Sequence, residues 1–478
     1  MRGGSTRRTA IAAVAGALAG ALVFAALGST AAGPEPGRRR NLLLVTVDTL
    51  RADHLGFAGY ARDTSPNLDG LAREGTWFAR CYSQSATTGA SHATIFTSLP
   101  PDRHGVVANK QRFPADVPSL MTELRRHGYA TAGFASSVVV GRKSGLQDVF
   151  EHFDDQLTVA ELNRQQRYER PAGDTVAAVR AWIEQAPPDK PFFVWMHLID
   201  PHGPYQAPVD PDRYVGDPLF GKIGRDYPIG KEDFVPGTIP SYQVLGGRTD
   251  ADYYVARYDA EIRYADAKLG ELLAFLRERG RDRDTLVAVT ADHGETLAEP
   301  GHRLVFSHGN VAYEETVHVP LVVREPGGDR RLAAVPRDAP VALLDLAPTL
   351  LVLLGFEPPA SFEGRNLLQS QLAGDVALFS FGAYGNAKLE KDLGTQFSVL
   401  IGPTRYVLNS KDGADELYDH RSDPTEAKNV AAGRRDDVSR MRALVTDRLA
   451  RGARPAPVPA ETVSPEHRES LKALGYVE

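Results

Sequence analysis

Cysteine is almost absent: Cys81 stands alone in 478 residues. That excludes an internal disulfide framework and any multi-cysteine zinc or iron–sulfur site. A metal would have to be held by carboxylates and by the 13 histidines. A large excess of either charge is missing too, since 55 basic against 61 acidic residues leave a net charge of -6. There is no electrostatic reason to expect nucleic acid as a partner. No internal repeat is visible. With 42% hydrophobic and 24% charged residues the composition is soluble globular, which excludes a wholly disordered, fibrous or polytopic membrane chain. The length suits one large α/β domain with an appendage, or two or three smaller domains.

The first forty residues stand apart. Arg2, Arg7 and Arg8 precede an uncharged run over 9–32 made mostly of Ala, Gly, Leu and Val, and Gly33, Pro34, Pro36 and Gly37 follow it. This is the layout of an export signal or an N-terminal membrane anchor. Ser29-Thr30-Ala31 offers small residues to a signal peptidase, and the run also reaches the roughly 20 residues needed to span a bilayer. Either reading places the body outside the cytoplasm, in a periplasm or at a cell surface.

From Asn41 onward, short apolar runs alternate with amphipathic stretches. Asn41–Val47, Ala130–Phe134, 192–197, 286–290 and 320–323 read as buried strands, and 65–74, 119–126, 173–185 and 254–278 as helices. The alternation predicts a doubly wound α/β sheet with ligands beyond the carboxyl ends of its strands, where Asp48, His197 and Asp292 would sit. The Gly-, Pro- and Tyr-rich stretch 208–250 reads as an insert able to cover the site. A boundary is expected at 358–363. Beyond it, strand-like 397–401 and 405–408 and a helix over 435–449 predict a small α+β domain. The division is therefore 1–40 signal or anchor, 41–360 catalytic domain and 361–478 C-terminal subdomain.

Asp48 closes one apolar run and Asp292-His293 another, while Asp200 and His202 follow a third and His302 and His308 lie close behind. Carboxylates and imidazoles converging on one sheet edge make a divalent-metal site. The hydroxyl-dense segment 83–97 turns into a helical pattern. A hydroxyl there is either an N-cap or a nucleophile aimed by the helix dipole, and local pattern alone favours the cap.

Taken in order, the run Val47-Asp48-Thr49-Leu50-Arg51, then Ser91-His92-Ala93 with Thr97, Pro101-Asp102-Arg103-His104-Gly105, Asp200-Pro201-His202-Gly203-Pro204-Tyr205, Asp292-His293-Gly294-Glu295, His308-Gly309 and Asp345-Leu346-Ala347-Pro348-Thr349 resembles the sulfatase family of the alkaline phosphatase superfamily. The resemblance implies a large mixed sheet flanked by helices and followed by a small C-terminal domain. It also implies hydrolysis of a sulfate or phosphate ester. In that family the nucleophile opens a C/S-x-P/A-S-R pattern and is oxidised to formylglycine; the position falls here on Thr88, and the arginine position on His92. Oxidising a threonine yields a ketone, so formylglycine is out of reach. Cys81 lies seven residues upstream without the pattern and reads as structural. The family's paired aspartates become Asp48-Thr49, and its lysine motif after Phe134 is not recognisable.

An imidazole beside two carboxylates suits Zn²⁺ or Mn²⁺ better than Ca²⁺, although Ca²⁺ remains open. The expectation is a divalent metal held by Asp48, Asp292 and His293, with Thr88 as both ligand and nucleophile. His202 and His308, with Asp200, would bind the transferred group or a second metal, and one histidine would protonate the leaving alcohol. Phosphodiester hydrolysis or phosphotransfer is the preferred reaction. A sulfuric ester hydrolase and a non-catalytic binding member are the alternatives. The substrate would be a small-molecule, lipid or glycan ester.

Overall fold

The run NLLLVTV forms strand β1 (Asn41–Val47), buried along its whole length, as a strand covered on both faces must be. The computed structural model describes residues 40–451 apart from 110, 165–166, 220–221, 234, 370–375 and 383–393. The predicted signal or anchor segment lies outside the described residues. Among those described, no helix is long and apolar enough to cross a membrane.

Along the chain follow β2 (Thr76–Tyr82), β3 (Ala130–Phe134), β4 (His152–Asp154), a small hairpin of β5 (Val159–Ala160) and β6 (Tyr168–Glu169), then β7 (Phe192–Leu198), β8 (Thr285–Ala291), β9 (His318–Arg324) and β10 (Val341–Ala342). All but β5 and β6 join one sheet in the order β10-β2-β9-β8-β1-β7-β3-β4. Only β9 runs against the rest, which gives the mixed sheet that the resemblance implies. Helices α1 (Pro66–Glu74) and α4 (Ala172–Gln185) pack on the long α5 (Ala251–Glu278), while α3 (Leu120–Arg126) and α6 (Leu346–Leu353) pack on α2 (Thr88–Thr97). Helix α5 starts where the Asp250 carboxylate accepts the Tyr253 N–H at 3.0 Å, an ordinary acidic N-cap.

Register positions the site. Val47 lies opposite Leu198 on one side and Ala291 on the other, so β1, β7 and β8 end level with one another. The residues after all three emerge at one edge, and the Asp48 N–H donates to the Leu198 carbonyl at 2.8 Å.

A second, antiparallel sheet of β11 (Leu378–Phe381), β12 (Gln396–Ile401), β13 (Thr404–Asn409) and β14 (Asp415–Asp419) forms the C-terminal unit. Helix α7 (Arg435–Arg451) covers it, setting Met441 and Val445 against Phe397, Val399, Tyr406 and Leu417. The boundary falls later than 358–363. Leu367 is buried in the large core, Arg365 pairs with Asp345 at 2.6 Å, and Gly364 donates to the Ser98 hydroxyl at 3.0 Å. The small sheet also braces the start of α2: the Ser380 hydroxyl donates to the Ser83 carbonyl at 2.6 Å and the Phe381 N–H to the Gln84 carbonyl at 3.0 Å.

Candidate active site

Asp48, Asp292 and His293 converge beyond the level strand ends, with ligand atoms within 4.8 Å of one another, all buried. The Nε2 of His293 lies 3.7 Å from one Asp48 oxygen and 3.6 Å from one Asp292 oxygen. Its Nδ1 donates to the Gly294 carbonyl at 2.9 Å, which leaves the Nε2 lone pair facing the carboxylates. Gly294 is needed for close approach, since a Cβ there would meet the Glu315 carbonyl oxygen at 2.0 Å. Asp48 Oδ1 and Asp292 Oδ2 are buried without a hydrogen-bond partner. Buried carboxylate oxygens are normally satisfied, so orphaned oxygens facing one imidazole fit a divalent cation. Burial raises the pKa of Asp48 against the pull of His293. Burial also works against a charged His293, but Asp292 and Asp48 outweigh it and raise the imidazole's pKa. The arrangement draws positive charge.

Thr88 is the first residue of α2, and its hydroxyl donates to His293 Nε2 at 3.3 Å. Thr87, one residue earlier, turns away and pairs with the Ser85 hydroxyl at 3.0 Å. Helix α2 is held in place by side chains that the sequence does not single out together. His92 Nδ1 donates to the Thr88 carbonyl at 2.8 Å, and His92 Nε2 accepts from the Thr46 hydroxyl at 2.9 Å. Thr46 in turn accepts from the Trp195 indole at 3.0 Å, and the Ser91 hydroxyl donates to the Asp292 carbonyl at 2.6 Å. Burial lowers the His92 pKa to about 4, so this imidazole stays neutral.

Thr49 occupies the place of the family's second aspartate with φ +55°, unusual for a β-branched residue. Its N–H donates to Asp292 at 3.3 Å and its carbonyl accepts the Tyr258 hydroxyl at 2.7 Å. Those bonds hold a conformation that costs about 1–3 kcal/mol by itself.

His308 and His202 face the same pocket, with ring centroids 5.1 Å apart. His308 Nδ1 is bonded to Glu295 at 3.1 Å, while His202 Nδ1 donates to the Gly203 carbonyl at 2.8 Å. Burial lowers the His308 pKa to about 3 and moves His202 in the same direction, so both imidazoles are neutral. Burial pushes Glu295 well up.

Asp200 stands outside the metal cluster. One of its oxygens accepts the Ala172 N–H at 3.0 Å, at the start of α4, and burial raises its pKa to about 7. It braces α4, and the metal-ligand role expected for it has no geometric support. His302 is likewise elsewhere, bonded to Glu315 at 2.6 Å. In their place the structure brings His197, whose Nε2 lies 3.4 Å from the second Asp48 oxygen and whose ring nitrogens are buried without hydrogen-bond partners. The signal was its position at the end of β7. Cys81 is fully buried in β2, where burial raises its thiol pKa well up, as a structural residue requires.

Asp48, Thr88, His202 and His308 line one pocket. Arg164, Arg167 and Tyr242 line it too. Tyr242 comes from the 208–250 insert, as expected of a segment covering the site. The arginines went unnoticed in the sequence, where nothing local separates them from solvated ones.

Orphaned carboxylates, an imidazole and a helix-borne hydroxyl at the carboxyl edge of a mixed α/β sheet define an ester hydrolase of the alkaline phosphatase class. The Sulfatase family profile matches residues 40–356, and the chain belongs to that family. It is 25% identical over 433 residues to the uncharacterized sulfatase YidJ of Escherichia coli, covering 82% of this chain and 83% of that one. It is 24% identical to the Delta 4,5-hexuronate-2-O-sulfatase of Bacteroides thetaiotaomicron, covering 86% and 89%. The solved phosphonate monoester hydrolase of Agrobacterium radiobacter shares the fold with a TM-score of 0.67 at 21% identity, over 86% of this chain and 95% of that one.

Proposed function

We propose that this protein is a metal-dependent hydrolase that uses Thr88 as its nucleophile on a phosphate or sulfate ester, with phosphodiester hydrolysis or phosphotransfer preferred. The observation that carries the reading is the Thr88 hydroxyl, 3.3 Å from His293 Nε2 and beside carboxylate oxygens that have no other partner. Asp48, Asp292 and His293, with Thr88 and His197 beside them, are the residues that would hold the ion, with Zn²⁺ or Mn²⁺ favoured and Ca²⁺ open. A divalent cation there supplies positive charge that lowers the hydroxyl's pKa and offsets charge building on the transferred group.

The chain's own residues do the rest. The His92 and Ser91 bonds fix the start of α2 and so aim the Thr88 hydroxyl, while the N-terminal end of the helix favours its developing negative charge. Thr88 gives its proton to solvent, and the bond from its oxygen to phosphorus or sulfur forms as the bond to the leaving alcohol breaks. A Glu295 carboxyl kept protonated by burial passes its proton to His308 Nδ1 as the His308 Nε2–H passes to that alcohol, so the imidazole stays neutral and Glu295 is left as the carboxylate. His202 has Nε2 free of a proton and accepts one from the water or acceptor alcohol that resolves the threonine ester.

A sulfuric ester hydrolase is the second reading, favoured by the names of the curated relatives. The intact buried ligands speak against a non-catalytic binding member. The substrate is a small-molecule, lipid or glycan ester, and the N-terminal segment implies export or membrane anchorage outside the cytoplasm.

The purified protein with Mn²⁺ or Zn²⁺ should be assayed on nitrophenyl phosphodiester, phosphomonoester, phenylphosphonate and sulfate esters, beside Thr88→Ala. Phosphodiester turnover should lead and fall by about a thousandfold or more in Thr88→Ala, as expected of a lost nucleophile. Sulfate turnover exceeding phosphodiester turnover overturns the preference. Full activity in Thr88→Ala removes the nucleophile.

A further inference from the structure

His92 stands at the arginine position of the resembled pattern, and no recognisable lysine motif follows Phe134. His202 and His308 are neutral by burial. Among the described residues lining the pocket, Arg164 and Arg167 are the ones with a permanent positive charge.

Both arginines are built in. They lie in the loop that joins β5 to β6 and are 8% and 3% exposed. Glu161, itself buried, takes the Nε edge of each: one carboxylate oxygen is 2.6 Å from Arg164 and the other 2.5 Å from Arg167. The Glu161 N–H donates to the Arg167 carbonyl at 2.9 Å, which closes the loop. The Arg164 guanidinium lies 3.9 Å from the centre of the Tyr242 ring and reaches the Gly203 carbonyl at 3.4 Å. At the base of the hairpin Arg170 pairs with Asp154 at 3.0 Å, next to the large sheet. Both guanidiniums share the Glu161 carboxylate and bring permanent positive charge to the pocket. Glu169 does not cancel it, because burial raises its pKa to about 8. Burying guanidiniums costs desolvation, which an incoming anion repays through charge-assisted hydrogen bonds.

We propose that Arg164 and Arg167, braced by Glu161, form the anion grip of the active site and bind the non-bridging oxygens of the tetrahedral ester group presented to Thr88. Arg164, Arg167 and Thr88 line the same pocket. The ligand class is a tetrahedral oxyanion: the phosphoryl or sulfuryl end of the substrate and the product derived from it. The inference rests on Thr88 marking the reacting end of the pocket but not on which ester is turned over.

Calorimetric binding of inorganic phosphate, with inorganic sulfate in parallel, tests it on the metal-loaded protein. The wild type is compared with Arg164→Gln, Arg167→Gln, Arg167→Lys and Thr88→Ala, with metal content and melting temperature recorded for each. Each Arg→Gln change should weaken phosphate binding about tenfold or more, at unchanged metal content, as loss of a charge-assisted bidentate contact does. Thr88→Ala should retain binding to within a few-fold. Arg167→Lys keeps the charge but loses the planar fork and should weaken binding about three- to tenfold. Should a glutamine variant fail to fold, Arg167→Lys decides by that same measure. Phosphate affinity within twofold of wild type in the folded arginine variants overturns the proposal. Loss of binding in those variants upholds it even if Thr88→Ala keeps its turnover, an outcome that would remove only the nucleophile assignment.

Discussion

Stripping the protein of divalent cation should lower its melting temperature, and Asp48→Asn should both raise the melting point of the stripped protein and abolish the response to cation. The site holds two buried carboxylates, and Asp48 Oδ1 and Asp292 Oδ2 accept no hydrogen bond. A cation at about a thousandfold its dissociation constant stabilises the folded state by about 4 kcal/mol. For a chain of this length the unfolding entropy is about 1 kcal/mol per kelvin, so the melting point should rise by about 4 °C. Asn at position 48 removes a carboxylate charge that burial disfavours, the same desolvation that raises the Asp48 pKa. An unsatisfied buried polar group costs about 1–3 kcal/mol, so the stripped variant should melt about 1–3 °C above the stripped wild type. The assay is scanning calorimetry of chelator-treated protein titrated with Mn²⁺, Zn²⁺ and Ca²⁺. A wild type that melts at one temperature in chelator and in all three cations, together with an Asp48→Asn protein identical to it, would refute the assignment of the cluster as a cation site.

Two further outcomes concern stability. Arg405 is buried between Glu314 at 2.5 Å and Glu426 at 2.6 Å, so Arg405→Met should leave two buried carboxylates with only His420 and His318, among the described residues, as ion-pair partners and cost about 3–5 kcal/mol in urea unfolding. Pairing it with Glu314→Gln and Glu426→Gln should recover most of that loss; a loss below about 1 kcal/mol in the single variant contradicts the reasoning. His104 accepts the Val106 N–H at 3.1 Å on Nδ1 and donates to the Thr94 hydroxyl at 3.0 Å, and burial lowers its pKa from 6.5 to about 3. The unfolded chain therefore takes up this proton near pH 6.5 while the folded one does so only near 3. Its contribution is fully present above pH 6.5 and is lost as the pH falls toward 3, by about 1.4 kcal/mol per unit. Urea unfolding of His104→Gln between pH 6 and 4 should show a slope shallower by close to that amount, and an unchanged slope would count against it.

Periodicity alone located β1, β3, β7, β8 and β9 and helices α1, α3, α4 and α5 to within a few residues, because a strand buried on both faces is a continuous apolar run and a helix on a sheet has a single apolar stripe. It missed β2 and β11: Arg80 interrupts the apolar pattern of the first, and the second is only four residues long. The Pro-rich 358–363 segment has the composition of a linker. Its neighbours nevertheless pack on the large core through Leu367 and the Arg365–Asp345 pair, contacts no local pattern announces.

The sequence by itself determined the chemistry on offer. One cysteine in the wrong context, a threonine where the resembled family's pattern opens and acid-imidazole pairs at strand ends follow from order along the chain, and so does their meeting at one edge, because parallel strands of equal register end together. Tertiary structure decided which of those groups work together. It set Asp200 against the N-terminus of α4, brought His197 to Asp48, and turned Arg164 and Arg167 inward around Glu161. Long polar side chains on loops take their partners from segments far away in sequence, and which partner wins depends on burial and distance, quantities that only the folded chain possesses.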